Sequence, residues 1–493
     1  MGISKSDLLS KPEICRAKTT ENIRLDLQGL RGISILLVLL FHLWPSHFPA
    51  GYLGVDVFFV LSGYLMTMFM DRIDVLTIGS ALDFYFRRLK RIVPIFAGVM
   101  GVVLFISMFM SSAFELHFLF RDTVPAVLFC SNVRSLRYAG YFDKSAKYSL
   151  FLHSWSIAVE MQYYLCVPPL FALIKQLNRL HWTLSRFLVL AMIAVSGCFQ
   201  MIGTENSEDK HMLLISRLWQ FAVGYFAFDL RSWHTRQSPW SKSVQKSVDS
   251  VVFMIFGLLT FVSDYPVAVR IGITLLAMLV IGFGNDILQS WTLVELGNIS
   301  YSVYLVHWPI FTAHRYLRPL AYKHVQEINL EMGVILLILS VALGFCVEHL
   351  AKPILSRIKT WKKLLLLVAA LYLFIANCLV YVQQNSRYEK PTIPKENAEP
   401  LLLKLWNERN ITHWTKPEVA NYNFQLLAIT DHLKCERNDE IKLKNGQTAI
   451  SMLDAKGACV EKGTGNKTVV IFGNSHKFWK RFANCQLHDC LSN

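Results

Sequence analysis

Arg31, His42 and Asp56 stand inside segments otherwise suited to lipid, and chemistry in this chain is expected where such groups meet. An ionisable side chain inside an apolar span is costly unless paired, so each marks a candidate functional position. Arg31 and His42 share the first apolar segment. Eleven residues at about 100° each return within about 20° of three full turns. A helix therefore puts both on one face, roughly 16 Å apart along its axis. Asp56 sits near the start of the second segment, which runs back, and can reach the depth of His42. A neutral imidazole beside a carboxylate is an oriented general base, able to take a proton from a hydroxyl.

Further along, His153 and Glu160 are seven residues apart, nearly two helical turns, and again share a face. Arg217, His307 and Glu348 enter from three other apolar segments. Each also has a purely structural reading as an interhelical salt bridge or hydrogen bond, which is the expected one for Arg217 and Glu348. The run Arg87-Arg88-Leu89-Lys90-Arg91-Ile92-Val93-Pro94 precedes the third span. It serves either as a topology signal or as a phosphate clamp, since guanidinium groups bind phosphate oxygens in bidentate fashion. No metal site is expected from these residues.

The elements that must position these groups are transmembrane helices. Apolar residues make up 53% of the 493, and charged ones only 17%, against about 25% in an ordinary soluble domain. A helix rising 1.5 Å per residue needs about 20 residues to cross about 30 Å of hydrocarbon. Eleven segments qualify: 30–46, 51–70, 92–110, 153–174, 184–203, 212–231, 248–263, 267–284, 297–316, 328–350 and 362–383. The expected fold is an all-α polytopic membrane bundle of about 10–11 transmembrane helices, with a small extramembrane α/β-like fragment at the C-terminus. A short apolar run, Thr123 to Val133, is either re-entrant or a twelfth crossing.

Basic residues in the connections set the orientation. With the N-terminus cytoplasmic, the inner loops hold Arg72, Arg87, Arg88, Lys90, Arg91, Lys175, Arg179, Arg231, Lys352 and Arg357. The segment 111–152 is the exception, external yet carrying Arg121, Arg134 and Arg137. The net charge of +15 thus reads as topology rather than as nucleic-acid binding. Residues 1–24 are polar, unlike a cleavable signal peptide, and form a cytoplasmic segment. Eleven spans leave the tail lumenal or extracellular, at an endomembrane or the plasma membrane. Two sequons, at Asn410 and Asn466, and four tail cysteines (Cys435, Cys459, Cys485 and Cys490) suit that side.

The polar residues stand in motifs that resemble the membrane-bound acyltransferase-3 family, the O-acyltransferases of glycans and lipids. Leu27-Gln28-Gly29-Leu30-Arg31-Gly32 followed by His42 is similar to the family's first motif, and Gly51 to Leu65 to its second. Arg87-Arg88 with Arg91 and Pro94 follows. Then come His153-Ser154-Trp155-Ser156-Ile157-Ala158-Val159-Glu160-Met161-Gln162-Tyr163-Tyr164 and Gly297 to Pro309. These motifs occur in the family's order over roughly residues 25–355. The resemblance implies transfer of an acyl group, with acetyl expected, from cytosolic acyl-CoA to a hydroxyl of a glycan, lipid or other acceptor. It assigns catalysis to His42, Asp56 and Glu160. Donor binding falls to Arg31, Arg88 and Arg91, and the acceptor side to His153, Trp155 and His307. No metal is implied.

Thr468 to Phe472 reads as a short β-branched strand leading into Gly473-Asn474-Ser475-His476, which resembles the first block of SGNH hydrolases. No aspartate-two residues-histidine pattern follows, so Ser475 is expected to be vestigial and the tail a truncated or degenerate hydrolase start. The regions are a cytoplasmic segment 1–24, a transmembrane acyltransferase-3 domain 25–383, a lumenal or extracellular linker 384–467, and a partial SGNH-like segment 468–493. Two other classes compete with the enzyme: a proton-coupled transporter, which would also bury His, Asp and Glu, and a catalytically inactive membrane scaffold. No inverted repeat of the transporter kind is visible.

Overall fold

A computed structural model describes residues 24–385, apart from 112, 135–148, 202–211, 237–241, 263–265 and 318–327, together with three short strands beyond them. In lipid every backbone polar group must be satisfied within its own segment, and the apolar sequence answers with helices. The first are α1 (Leu25–Leu43), α2 (Gly54–Asp71, entered through a 3₁₀ turn at Gly51–Leu53), α3 (Ile78–Met110), α4 (Ala113–Val127) and α5 (Ser131–Arg134). Next come α6 (Ser154–Leu180), α7 (Trp182–Met201), α8 (Leu214–Arg236), α9 (Lys242–Leu259) and α10 (Pro266–Phe283). The last are α11 (Trp291–Asn298), α12 (Ser300–Leu317), α13 (Leu330–Ser356) and α14 (Trp361–Asn385).

Each of the eleven expected spans coincides with one of these helices. Among the described residues, eight helical stretches are long and apolar enough to cross a bilayer: α1, α2 with its entry turn, α3, α6, α7, α10, α13 and α14. Helices α8, α9 and α12 lie outside that set; α8 carries Arg217, Asp229, Arg231 and Arg236 along its length. The run Thr123 to Val133 is not a continuous crossing. It breaks between α4 and α5, where Phe129 takes a φ of 53°.

Two close approaches set the geometry of the site. A Cβ on Gly63 would lie 2.1 Å from the Phe221 carbonyl oxygen, and one on Gly224 only 2.3 Å from that of Val60. Helices α2 and α8 therefore meet backbone to backbone, as small residues allow in membranes. A Cβ on Gly297 would lie 1.9 Å from the Gln28 carbonyl oxygen, so α11 is locked onto α1 just ahead of α12. Helices α13 and α14 turn apolar residues such as Ile338, Leu350, Leu366 and Leu373 outward.

Beyond the bundle, Glu436–Arg437, Ala458–Lys462 and Thr468–Phe472 pair as a three-stranded antiparallel sheet in that order. The strand expected at Thr468–Phe472 is formed. Asn410, Asn466 and Ser475 lie outside the described residues.

Candidate active site

Three imidazoles converge where α1, α6 and α12 meet. His42 stands in the last turn of α1, His153 caps the start of α6 and His307 lies midway along α12. The His42 ring lies 4.5 Å from that of His153 and 5.5 Å from that of His307, and the latter two are 5.2 Å apart. One ring nitrogen from each lies within 4.8 Å of the other two. All three side chains are buried, His307 completely. Trp308 seals the group, with its ring 4.2 Å from His153 and 5.2 Å from His42. Its indole nitrogen is held by the Ser149 carbonyl at 2.7 Å.

Backbone carbonyls fix the tautomers. His42 Nδ1 lies 2.6 Å from the Val38 carbonyl oxygen and His307 Nδ1 lies 2.7 Å from that of Tyr304. A carbonyl only accepts, so Nδ1 carries the proton in both rings and Nε2 carries the lone pair. His153 Nδ1 faces the Tyr304 hydroxyl at 3.4 Å, and that hydroxyl is 2.6 Å from Ser156 Oγ. A small apolar cavity of about 30 Å³ opens beside His153, walled by Phe96, Met100, Leu305 and Pro309.

A basic layer is formed by Arg31, further along α1, with Arg88 and Arg91 of α3. Arg31 interacts electrostatically with Arg88, Arg91 and Glu160. Glu160 accepts a hydrogen bond from Ser62 Oγ at 2.6 Å and another from the Tyr164 hydroxyl. The Arg88 guanidinium packs over the rings of Tyr164 at 5.5 Å and Phe84 at 5.9 Å. The Nε atoms of Arg31 and Arg88 are buried without a hydrogen-bond partner. On α6 the two layers are joined by a one-sided stripe, His153, Ser156, Glu160 and Tyr164. Seven residues separate His153 from Glu160, about 10 Å of helix. The proposed donor arginines are thus brought together, as are the three histidines.

Asp56 does not orient His42 through a hydrogen bond. Its carboxylate is held by Arg217 Nη1 at 2.8 Å and Arg270 Nε at 2.9 Å, while the tautomer of His42 is set by Val38. The physical reason is competition: two guanidiniums arriving from α8 and α10 form charge-assisted contacts, which are stronger than one to a neutral ring. Trp155 also departs from the acceptor-side expectation. It packs edge-on against Phe59 at 6.4 Å and lies under the Arg217 guanidinium at 5.4 Å, toward α2 and α8. Arg217 and Glu348 take structural partners, the latter accepting from Ser302 Oγ at 2.7 Å.

Sequence reasoning passed over Tyr304, Ser156, Trp308 and Arg270. The first three sit within one helical turn of His307 or His153, inside motifs already singled out. Arg270 was visible as a lone charge in an apolar span.

A buried imidazole cluster from α1, α6 and α12 shares one bundle of apolar helices with a layer of arginines from α1 and α3, and the class of protein is a polytopic membrane protein. The model of the acyltransferase-3 family, described as an acyltransferase domain, matches residues 24–349, and the chain belongs to that family. It is an acyltransferase of the membrane. It is 32% identical over 314 residues to a protein of Komagataeibacter xylinus named as a membrane-bound transacylase, BcsY, covering 60% of this chain and 75% of that one. It is 27% identical over 353 residues to the peptidoglycan O-acetyltransferase OatA of Listeria monocytogenes, covering 65% of this chain and 54% of the relative. A Staphylococcus aureus protein named as an O-acetyltransferase is 27% identical over 310 residues, covering 59% of this chain and 51% of that relative. The matched part therefore spans about half the length of the latter two. No solved structure matches the chain.

Proposed function

We propose that the chain moves an acyl group, acetyl in the first instance, from cytosolic acyl-CoA to the hydroxyl of a glycan or lipid acceptor. The observation that carries this reading is the pairing of two unlike polar layers within one helical bundle. Buried guanidinium Nε atoms of Arg31 and Arg88 lack hydrogen-bond partners at one end, and the His42 cluster stands at the other. Unsatisfied buried donors are costly, and a phosphate-rich donor would satisfy them. Arg91 adds charge to the same layer. Glu160 anchors Ser62 and Tyr164 between the layers and serves as a positioning residue.

In the reaction, His42 Nε2 takes the proton of the acceptor hydroxyl as its oxygen attacks the thioester carbonyl. The carbon–sulfur bond breaks and the departing thiolate takes up a proton, which restores the neutral ring. Val38 holds Nδ1–H throughout, so Nε2 remains the basic nitrogen. The apolar cavity beside His153 suits the acyl methyl or an apolar part of the acceptor. The donor layer faces the cytosol in this reading and the tail lies lumenal or extracellular, with Asn410 and Asn466 open to glycosylation. Membranes expressing the chain, supplied with acetyl-labelled CoA, are expected to incorporate label into a lipid or glycan fraction. His42→Ala at equal expression should reduce incorporation at least 100-fold, as loss of a general base does. Undiminished incorporation would overturn the assignment.

A further inference from the structure

We propose that His42, His153 and His307 form a binding site for one divalent first-row cation of the zinc class. This goes beyond acyl transfer and does not rest on it. Imidazole is a preferred ligand of zinc, copper and nickel, and three neutral imidazoles with one open position form a familiar zinc donor set.

Three observations point there. The first is convergence: one nitrogen from each ring lies within 4.8 Å of the other two. In a tetrahedral site with Zn–N bonds of 2.0–2.1 Å the nitrogens lie about 3.3 Å apart. Closure thus requires at most about 1.5 Å per pair, within reach of side-chain rotation. The second is the outer partners. Metal-bound histidines donate their remaining N–H to a carbonyl or carboxylate, which fixes the tautomer. Here Val38 and Tyr304 supply those carbonyls to His42 and His307, at 2.6 and 2.7 Å. The Tyr304 hydroxyl lies in the equivalent place for His153. The third is His307 Nε2, fully buried and without a hydrogen-bond partner. A lone pair stranded among aromatic rings calls for a positive group, and a cation shared with two neighbouring imidazoles supplies it. One consequence bears on catalysis. The His42 lone pair cannot hold a metal and accept a proton at once, so where the transfer reading holds, the cation competes with it.

The test measures metal rather than activity. The full chain is purified in detergent through a tag free of histidine, stripped with chelator and dialysed against zinc. Mass spectrometry of the metal should give about one zinc per chain, and cobalt(II) should give the visible bands of a tetrahedral nitrogen-ligated ion. Replacing all three residues (H42Q, H153Q, H307Q) should abolish both signals. His307→Cys retains a ligand and should keep the metal while adding a sulfur-to-cobalt absorption, which separates loss of a ligand from loss of the fold. A wild-type chain that binds no stoichiometric zinc or cobalt, or a metal content unchanged in the triple variant, would overturn the proposal. Acyl transfer would stand untouched by either result.

Discussion

Replacing Asp56 by Asn separates a structural carboxylate from a catalytic one. Asp56 is 2% exposed, and its two oxygens face Arg217 and Arg270, themselves 2% and 8% exposed. Removing its charge leaves two guanidiniums in the bundle without their carboxylate. Breaking a buried pair by removing one partner costs about 3–5 kcal/mol, and a charge at the centre of a bilayer about 2.5–3.5 kcal/mol on insertion scales. About 3 kcal/mol is thus expected, roughly a 150-fold loss in the folded-to-unfolded ratio. Unfolding of the purified chain in mixed micelles, followed by denaturant titration, reads this directly. The variant Asp56→Asn/Arg217→Gln should be less destabilised than the sum of the two single changes, because contacting partners couple. If Asp56→Asn instead unfolds like the wild type while acyl transfer disappears, the carboxylate acts in chemistry and the ion triad is incidental.

Arg31→Gln and Arg88→Gln should each raise KM for the CoA donor about 10- to 100-fold, the loss of one charge-assisted contact worth about 1.5–3 kcal/mol. The kcat should change far less, and steady-state kinetics over donor concentration separate the two. Gly63→Ala should fail to accumulate as folded protein, because its Cβ would fall 2.1 Å from the Phe221 carbonyl oxygen. Fluorescence-detected gel filtration of a fusion in detergent should then show aggregate in place of a single peak. A monodisperse, active Gly63→Ala protein would mean that α2 and α8 are further apart than described.

Residue types in this chain were legible from sequence, and their partners were legible only in part. Hydropathy located eleven of the fourteen described helices, eight of them long and apolar enough to cross a bilayer, because the need to satisfy backbone groups in lipid leaves a long apolar run little alternative to a helix. Spacing along one helix also carried through. Arg31 and His42 share a face of α1, and the stripe from His153 to Glu160 follows from 3.6 residues per turn. Asp56 shows where this kind of reasoning ends. Matching depths along two helices say nothing about rotation about their axes, and the rotation of α2 is set by Gly63 meeting Gly224 of α8. That contact turns Asp56 toward Arg217, an outcome no periodicity encodes. The convergence of His42, His153 and His307 was hidden for the same reason, since they come from helices far apart in the chain.

The two polar layers also explain each other energetically. A bundle in lipid tolerates ionisable groups when they face inward and meet partners, and the Asp56 triad and Glu160 with its two hydroxyl donors meet that condition. Arg31, Arg88 and His307 do not meet it fully, because each keeps a buried nitrogen without a hydrogen-bond partner. Packing alone would select against such atoms, at about 1–3 kcal/mol apiece. Such atoms also occur elsewhere, at Gln220 and Thr312, so it is the gathering of Arg31 with Arg88 and Arg91, and of His307 with two further imidazoles, that suits a charged donor in one layer and a hydroxyl or a cation in the other. Filling both layers with apolar residues of like volume, Arg31→Met with His307→Phe, should therefore raise stability while abolishing transfer. A variant that loses both would show that these groups hold the bundle together rather than serve its chemistry.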